Sequence, residues 1–338
     1  MKLNLDSILL SHGSGGMESQ NLITELFYPF LEGCVIGNGE DAGIAKITSD
    51  DFAISTDGYV VSPIFFAGGD IGKLSVCGSC NDVAMMGAKA KYLTASFMLE
   101  EGFKVHDLSR VIESFSATLK TSGAKLISAD TKVLPKGALD KIFITTTAIG
   151  EFIYPHLQLS AFNIPTDCTI IASGNIGTHG AVIYSSREEV NLNSTLQSDC
   201  ALLYPILEPL FASNLTLYAL RDATRGGIAS VLNEWAQASN IGITILDSNL
   251  PILPQVRGVC ELLGFEAYNL ANEGMCVLSI AKSDADKALE ILHKNGAPNA
   301  AIIGYTTSKN PKRVVLETSF GAKRFLDYPS GELLPRIC

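Results

Sequence analysis

No stretch of this chain is basic enough to neutralise a run of phosphates. Its 25 Lys and Arg stand against 35 Asp and Glu, a net charge of −10, so no nucleic acid is expected as a partner. Also missing is any apolar run of the length a bilayer requires, and Asp6, Ser11, His12 and the following glycines interrupt the N-terminal stretch before it could act as a secretory signal. No membrane association and a cytoplasmic location are therefore expected. Charge itself is scarce: 18% of the 338 residues are charged and 47% are hydrophobic, against roughly 25% charged in ordinary soluble domains. Part of the outer surface is expected to be covered in a homo-oligomer. The phosphate-binding signatures GxxxxGK[ST] and GxGxxG are both absent. Cysteines are present, eight of them (Cys34, Cys77, Cys80, Cys168, Cys200, Cys260, Cys276 and Cys338), and without an export signal they read as reduced thiols rather than a disulfide framework. Cys77 and Cys80 form a CxxC, but no second pair follows at zinc-finger spacing, so a packing role is favoured over a metal or redox one.

The length predicts two domains. SHGSGG, residues 11–16, is a glycine-rich loop, and the apolar positions 22, 23, 26, 27, 30 and 31 after it lie on one helical face over residues 17–32. A glycine loop opening a helix turns backbone N–H groups and the helix dipole toward an anion, although a plain turn explains it equally. Residues 52–56 and 125–128 alternate as strands and are expected to stop at Asp57 and Asp130, and the β-branched run 141–149 to close at Gly150. SVCGSCNDVAMMG reads as a helix with small residues on one side. A second unit follows with the strand CTIIAS, the loop GNIGTHG, and LRDATRGG before a helix at residues 228–238 that Thr224 or Asp222 could cap. MCVLSI and the amphipathic residues 285–293 complete a β-α-β tail. The class is mixed α and β.

Asp41 in GNGEDAG, Asp57 in STDGY, Asp82 in CNDVA and Asp130 in ADTK stand among small residues rather than lysines. Singly, each reads as a turn or helix cap. Together they suit a hard cation such as Mg²⁺, which needs few protein oxygens when substrate phosphates supply the rest, so a Mg-ATP clamp is expected. The last residue is Cys338, on a segment with two prolines and a glycine. Such ends are commonly mobile, and the nine residues from Ser330 could reach roughly 30 Å. Taken alone it is a stray surface thiol; beside an ATP clamp it becomes a carrier arm. The α-carboxylate of Cys338 is expected to raise its thiol pKa, partly offset by Arg336. His12 and His179, in the two glycine loops, read as loop-ordering hydrogen bonders.

HGSGG, STDGYVV, FFAGGDIGKLSVCGSCNDVAMMGA, ADTKV, RDATRGG, VRGVCELLG, NEG and LPRIC together resemble the HypE family of hydrogenase maturation proteins, in the PurM or AIR-synthetase-like superfamily. The resemblance runs from residue 11 to residue 338. It implies an α+β, two-domain fold: residues 1–153 an ATP-binding domain whose β-sheet dimerises, residues 154–328 a C-terminal α/β domain, and residues 329–338 a mobile tail. The implied activity is an ATP-dependent carbamoyl dehydratase. Cys338 receives a carbamoyl group from HypF, the thiocarboxamide is dehydrated to a thiocyanate, and the cyanide passes to iron held by HypC and HypD. The resemblance carries Glu273 as the base and Lys132 as the steadying cation, with Gly13, Gly15, Gly16, Asp57, Asp82, Asp130, Thr131, Asp222 and Asn272 around ATP and Mg²⁺ on Asp41, Asp57, Asp82 and Asp130. Ala129 stands where the family commonly has Gly, and Cys80 where cysteine is uncommon. The competing readings are another ATP-dependent ligase or kinase of the superfamily, or a non-catalytic docking scaffold.

Overall fold

The computed structural model describes residues 6–13, 17–35, 46–48, 50–187, 195–329 and 336–338. A helical stretch of α1 (Met17–Leu22), a π-helical turn (Ile23–Phe27) and α2 (Tyr28–Leu31) opens the chain. It is followed by β1 (Phe52–Tyr59), the short β2 (Phe65–Phe66) and β3 (Gly69–Asp70), α3 (Ile71–Met85), β4 (Ala88–Glu100), α4 (Val105–Ser122), β5 (Lys125–Leu134) and β6 (Ile142–Phe152). The long strands pair in the order β1-β6-β4-β5. Helices α3 and α4 cover one face of this sheet; on the other, Phe52 and Ile54 are exposed. Strands β1 and β5 run through Asp57 and Asp130 rather than stopping at them. Ladder pairing carries them on, with Asp57 opposite Thr146 and Asp130 opposite Ser96.

Helix α3 is buried on nearly every side, so no polar stripe marks it in the sequence. Its start is fixed by Asp70, whose carboxylate accepts from the N–H groups of Gly72 and Lys73 at 2.7 and 3.0 Å. Small residues let it approach its neighbours: a Cβ on Gly78 would strike the Tyr59 ring, and one on Gly72 the backbone of α4. Helix α4 shows the ordinary amphipathic solution, with Val105, Leu108, Val111, Ile112, Phe115 and Leu119 inward and Gly123 at positive φ closing its end.

The second half contains β7 (Cys168–Ala172), α5 (Thr178–Ser185), α6 (Tyr204–Phe211), β8 (Leu217–Asp222), α7 (Gly227–Ala238), β9 (Gly242–Leu246), α8 (Pro254–Leu263), β10 (Cys276–Ala281), α9 (Ala285–Lys294), β11 (Ala301–Thr307), β12 (Arg313–Glu317) and β13 (Lys323–Phe325). The strands form one sheet in the order β13-β12-β9-β11-β7-β10-β8. Alternation along β7 sends Ile170 and Ala172 to the core under α7 and Ile171 to the core under α6 and α9. No side chain caps α7. Its N-cap is Gly226 at φ 79°, and the Thr224 carbonyl accepts the Gly227 N–H instead, so the expected cap from Thr224 or Asp222 is replaced by a glycine turn.

The two halves meet across α3. Asn81 donates to the Ala201 carbonyl at 2.9 Å and accepts the Leu203 N–H at 2.8 Å, tying the helix to the segment before α6. Ala84 and Met85, in the same last turn of α3, pack into the core beneath α6 and α9.

Candidate active site

The Arg336–Cys338 segment lies in the cleft between the halves, beside the end of β1. The Val60 N–H donates to the Cys338 carbonyl and the Ser62 N–H to the Arg336 carbonyl, both at 3.1 Å, and Arg336 Nε donates back to the Val60 carbonyl at 2.8 Å. Arg336 also pairs with Asp140 at 2.6 Å and lies over the Phe143 ring. His179 Nε2 meets the Ile337 carbonyl at 2.8 Å. Ile337 and Cys338 join the main apolar core, and Cys338 is only 7% exposed. The expectation of a mobile arm meets a seated one in these three residues; backbone pairing, an ion pair and Ile337 burial hold it there.

Burial pushes the Cys338 thiol far up, and the Glu273 carboxyl, Asp57 and Asp222 push in the same direction while Arg225 opposes them. The cause is therefore the cleft first, not the residue's own α-carboxylate. A thiol in this position is neutral and unreactive as a nucleophile. The surrounding acids perturb one another. Asp82, on α3, accepts from Ser55 at 2.6 Å, and its pKa is raised by burial and by Asp57. Asp222, at the end of β8, is raised to about 7 by burial, Asp82 and Asp57. Glu273 is raised well above the usual carboxylate range by burial and by the neighbouring Cys200, Asp222, Asp199 and Asp57. Its Oε1 is buried without a hydrogen-bond partner, so the carboxyl is held ready for a group that the protein itself does not supply.

Glu273 is presented by a tightly braced turn. Asp199 accepts from Asn272 Nδ2 at 2.7 Å and from the Glu273 and Gly274 N–H groups at 3.3 and 3.2 Å. Asn272 also accepts the Gly177 N–H and donates to the Asn175 carbonyl, both at 2.8 Å. Its polar atoms are thus committed to bracing the GNIG loop, which makes Asn272 a support rather than the expected nucleotide ligand.

Asp57, Asp82, Asp222, Glu273 and Cys338 are brought together. Asp130, Thr131 and Lys132 are not. They lie on β5, at the opposite edge of the sheet from β1, and Asp130 aligns through Ser96 and Thr145 with Gly58, three strand spacings or roughly 14 Å away. Asp130 and Lys132 pair with each other at 3.0 Å with side chains 60% and 64% exposed, on the open face of the sheet, whereas Asp57 turns toward α3. Thr131 is half-buried on the helix-covered face. Ala129 sits in extended strand opposite Ala95, where a methyl group is harmless. Gly15, Gly16 and Asp41 lie outside the described residues, and of Gly13 only the backbone is described, in a short 3₁₀ turn. His12 accepts the Leu9 N–H at 2.9 Å, ordering its loop as expected. His179 differs: it is fully buried in α5 and bonds the arm. Arg225, 3.9 Å from Asp57, and Asp199 also escaped the sequence reading. The RDATRGG motif could have pointed to the first; nothing local marks the second. Cys77 and Cys80 are buried free thiols, as the packing reading expected.

A two-domain fold with a thiol-bearing arm in an acid-lined cleft fits what the comparisons show. Residues 39–152 match the family model of the AIR synthase related protein N-terminal domain and residues 166–317 that of its C-terminal domain, which defines the class. The chain is 41% identical over 340 residues to carbamoyl dehydratase HypE of Escherichia coli (strain K12), covering 99% of this chain and 100% of the relative. It belongs to the HypE family. Among solved structures it is similar to the hydrogenase maturation protein HypE in complex with ATP, with a TM-score of 0.93, 38% identity and coverage of 98% and 99% of the two chains. It is likewise similar to a chain of a HypE-HypF complex, with a TM-score of 0.80, 38% identity and coverage of 91% and 99%. Among the described residues no helix is long and apolar enough to cross a membrane.

Proposed function

We propose that this chain is an ATP-dependent carbamoyl dehydratase of NiFe-hydrogenase maturation, working in the cytoplasm on a carbamoyl group carried by its own Cys338. The observation that carries the reading is the seating of Cys338 among Glu273, Asp57 and Asp222 in the interdomain cleft. The names of its relatives support it: carbamoyl dehydratase, an ATP complex and a complex with HypF. HypF is the expected donor of the carbamoyl group, and HypC and HypD the expected iron scaffold that takes the product.

The chemistry explains the residue types. The carbamoyl oxygen is a poor leaving group. Transfer of the ATP γ-phosphate to that oxygen, with loss of one nitrogen proton, gives an O-phosphorylated intermediate. The C–O bond then breaks, phosphate departs, the second nitrogen proton leaves and the C≡N bond completes the thiocyanate. Glu273 is the proton acceptor: its raised pKa makes its carboxylate form a stronger base than an exposed one, and its unpartnered Oε1 is free to meet the nitrogen. Arg225 is the cation of this cleft that faces both Asp57 and the sulfur.

Asp57, Asp82 and Asp222 fit a magnesium ion in part. They are an oxygen-only set in which burial first, and mutual repulsion second, raise Asp82 and Asp222, and a hard cation would offset both. No three acids, histidines or cysteines among the described residues stand close enough to hold a metal alone, so waters and phosphate oxygens would have to supply the remaining ligands. When bound, the ion supplies charge neutralisation to the transferring phosphate.

Within one chain Asp130 and Lys132 stand apart from the cleft, on the far edge and opposite face of the sheet from Asp57. A homodimer formed through the open face of β1-β6-β4-β5, where Phe52 and Ile54 are exposed, would bring a second copy's Asp130 and Lys132 toward the cleft. The decisive experiment loads Cys338 with a carbamoyl group, adds Mg-ATP and weighs the intact chain. Loss of one water's mass is expected; an unchanged mass rejects dehydration in favour of a docking role.

A further inference from the structure

His179 is fully buried, yet both of its ring nitrogens are engaged. A carbonyl can only accept, so the 2.8 Å contact to the Ile337 oxygen makes Nε2 the protonated nitrogen and leaves Nδ1 to accept from Ser198 Oγ at 2.7 Å. Ser198 Oγ in turn accepts the Cys200 N–H at 3.1 Å, and the Ser198 N–H donates to the Ala67 carbonyl at 2.8 Å. Between them lies Asp199, which holds the Asn272, Glu273 and Gly274 turn. There is little slack in this chain: a Cβ on Gly274 would strike the Asp199 carbonyl, and one on Gly68 would come within 2.8 Å of the Ser198 backbone. The Phe66 ring packs edge-on against His179 with centroids 5.3 Å apart, fixing its plane.

We infer that His179 is a positioning residue that recognises the seated arm through the Ile337 carbonyl and, by way of Ser198 and Asp199, couples arm seating to the placement of the Glu273 carboxyl. The inference deepens the dehydratase reading and rests on it for its catalytic consequence, while the latch itself is a structural claim. The groups facing the ring from the packed elements are Ser198 and Asp199 on the loop before α6, Phe66 from β2, and the arm. The bond is to backbone, so it reads the arm's position rather than a side chain. A cargo as small as a carbamoyl group on the Cys338 sulfur need not disturb it.

The test is the rate at which a small maleimide labels Cys338 in the full chain, read by intact mass. His179→Gln carries an amide nitrogen as many bonds from Cα as Nε2 and keeps the donor to Ile337; His179→Asn reaches only the Nδ1 position. Faster labelling by at least about 5-fold is expected for His179→Ala and His179→Asn, the share of one hydrogen bond of about 1 kcal/mol, with His179→Gln close to the parent. Equal rates in all four proteins, or His179→Gln as fast as His179→Ala, overturn the latch. Should the buried substitutions not fold, the parent chain labelled with ¹⁵N-histidine decides. The His179 Nε2–H is expected to be protected from solvent exchange and to lose protection once a bulky maleimide on Cys338 expels the arm; unchanged protection overturns the latch. In single-turnover dehydration, His179→Asn should slow conversion by the same factor with ATP affinity unaltered. A parent chain that labels as expected but does not convert its carbamoyl group would remove the dehydratase reading and leave the latch standing.

Discussion

At Cys338 the cleft does two things to one sulfur: it hides it and keeps it protonated. Loading therefore belongs to the arm when it is out, and cargo chemistry to the arm when it is in. Replacing Cys338 by Ala should abolish thiocyanate formation, followed by intact mass, while ATP titration remains near the parent. Glu273→Gln should cut the conversion rate by ~10²–10⁴, the usual range for a proton-transfer group, with ATP affinity retained. Asp222 offers a pH test. Its folded pKa of about 7 exceeds the unfolded value of about 4, so the folded state holds the extra proton and stability falls as pH rises from about 4 through about 7. Asp222→Asn should therefore be more stable than the parent at pH 8 without nucleotide, by on the order of 1–4 kcal/mol in urea unfolding, and the gap should close at pH 4. Two types of residue were legible, acids among glycines and a terminal thiol, while Glu273 was marked only by the family resemblance. Their grouping was not, because equal motifs on strands β1 and β5 say nothing about which edge or face each occupies. The roles of His179 and Asp199 were not legible, because they come from partners far away in the sequence, Ile337 for the first and Asn272 to Gly274 for the second.

Among the elements, α3 matters most, since it carries Asp82 into the acid cleft and packs against both halves of the chain. Asn81→Ala would leave the Leu203 N–H buried without its acceptor, a loss of about 1–3 kcal/mol measurable as a lower urea midpoint. The amphipathic helices and the MCVLSI strand are readable from periodicity, because each has one wet side or a clean apolar run. The full extents of β1 and β5 are not, since their open-face polar residues resemble turn sequence until pairing partners are known. The start of α7 misled for another reason: a positive-φ glycine performs the turn for which a side-chain cap is normally needed.

For the whole molecule, the composition leads to the expectation of a covered surface, and the open face of the four-stranded sheet exposes Phe52 and Ile54. If two copies complete one site, a chain bearing Asp57→Asn mixed with one bearing Lys132→Ala should recover conversion that neither shows alone, whereas two separately complete sites per dimer would give none. The seating of Cys338 beside β1 also governs the kinetic order. Reagent and catalyst share one backbone, so dilution cannot part them, and the half-time of conversion should be the same in a thin solution as in a concentrated one, provided the quaternary assembly survives.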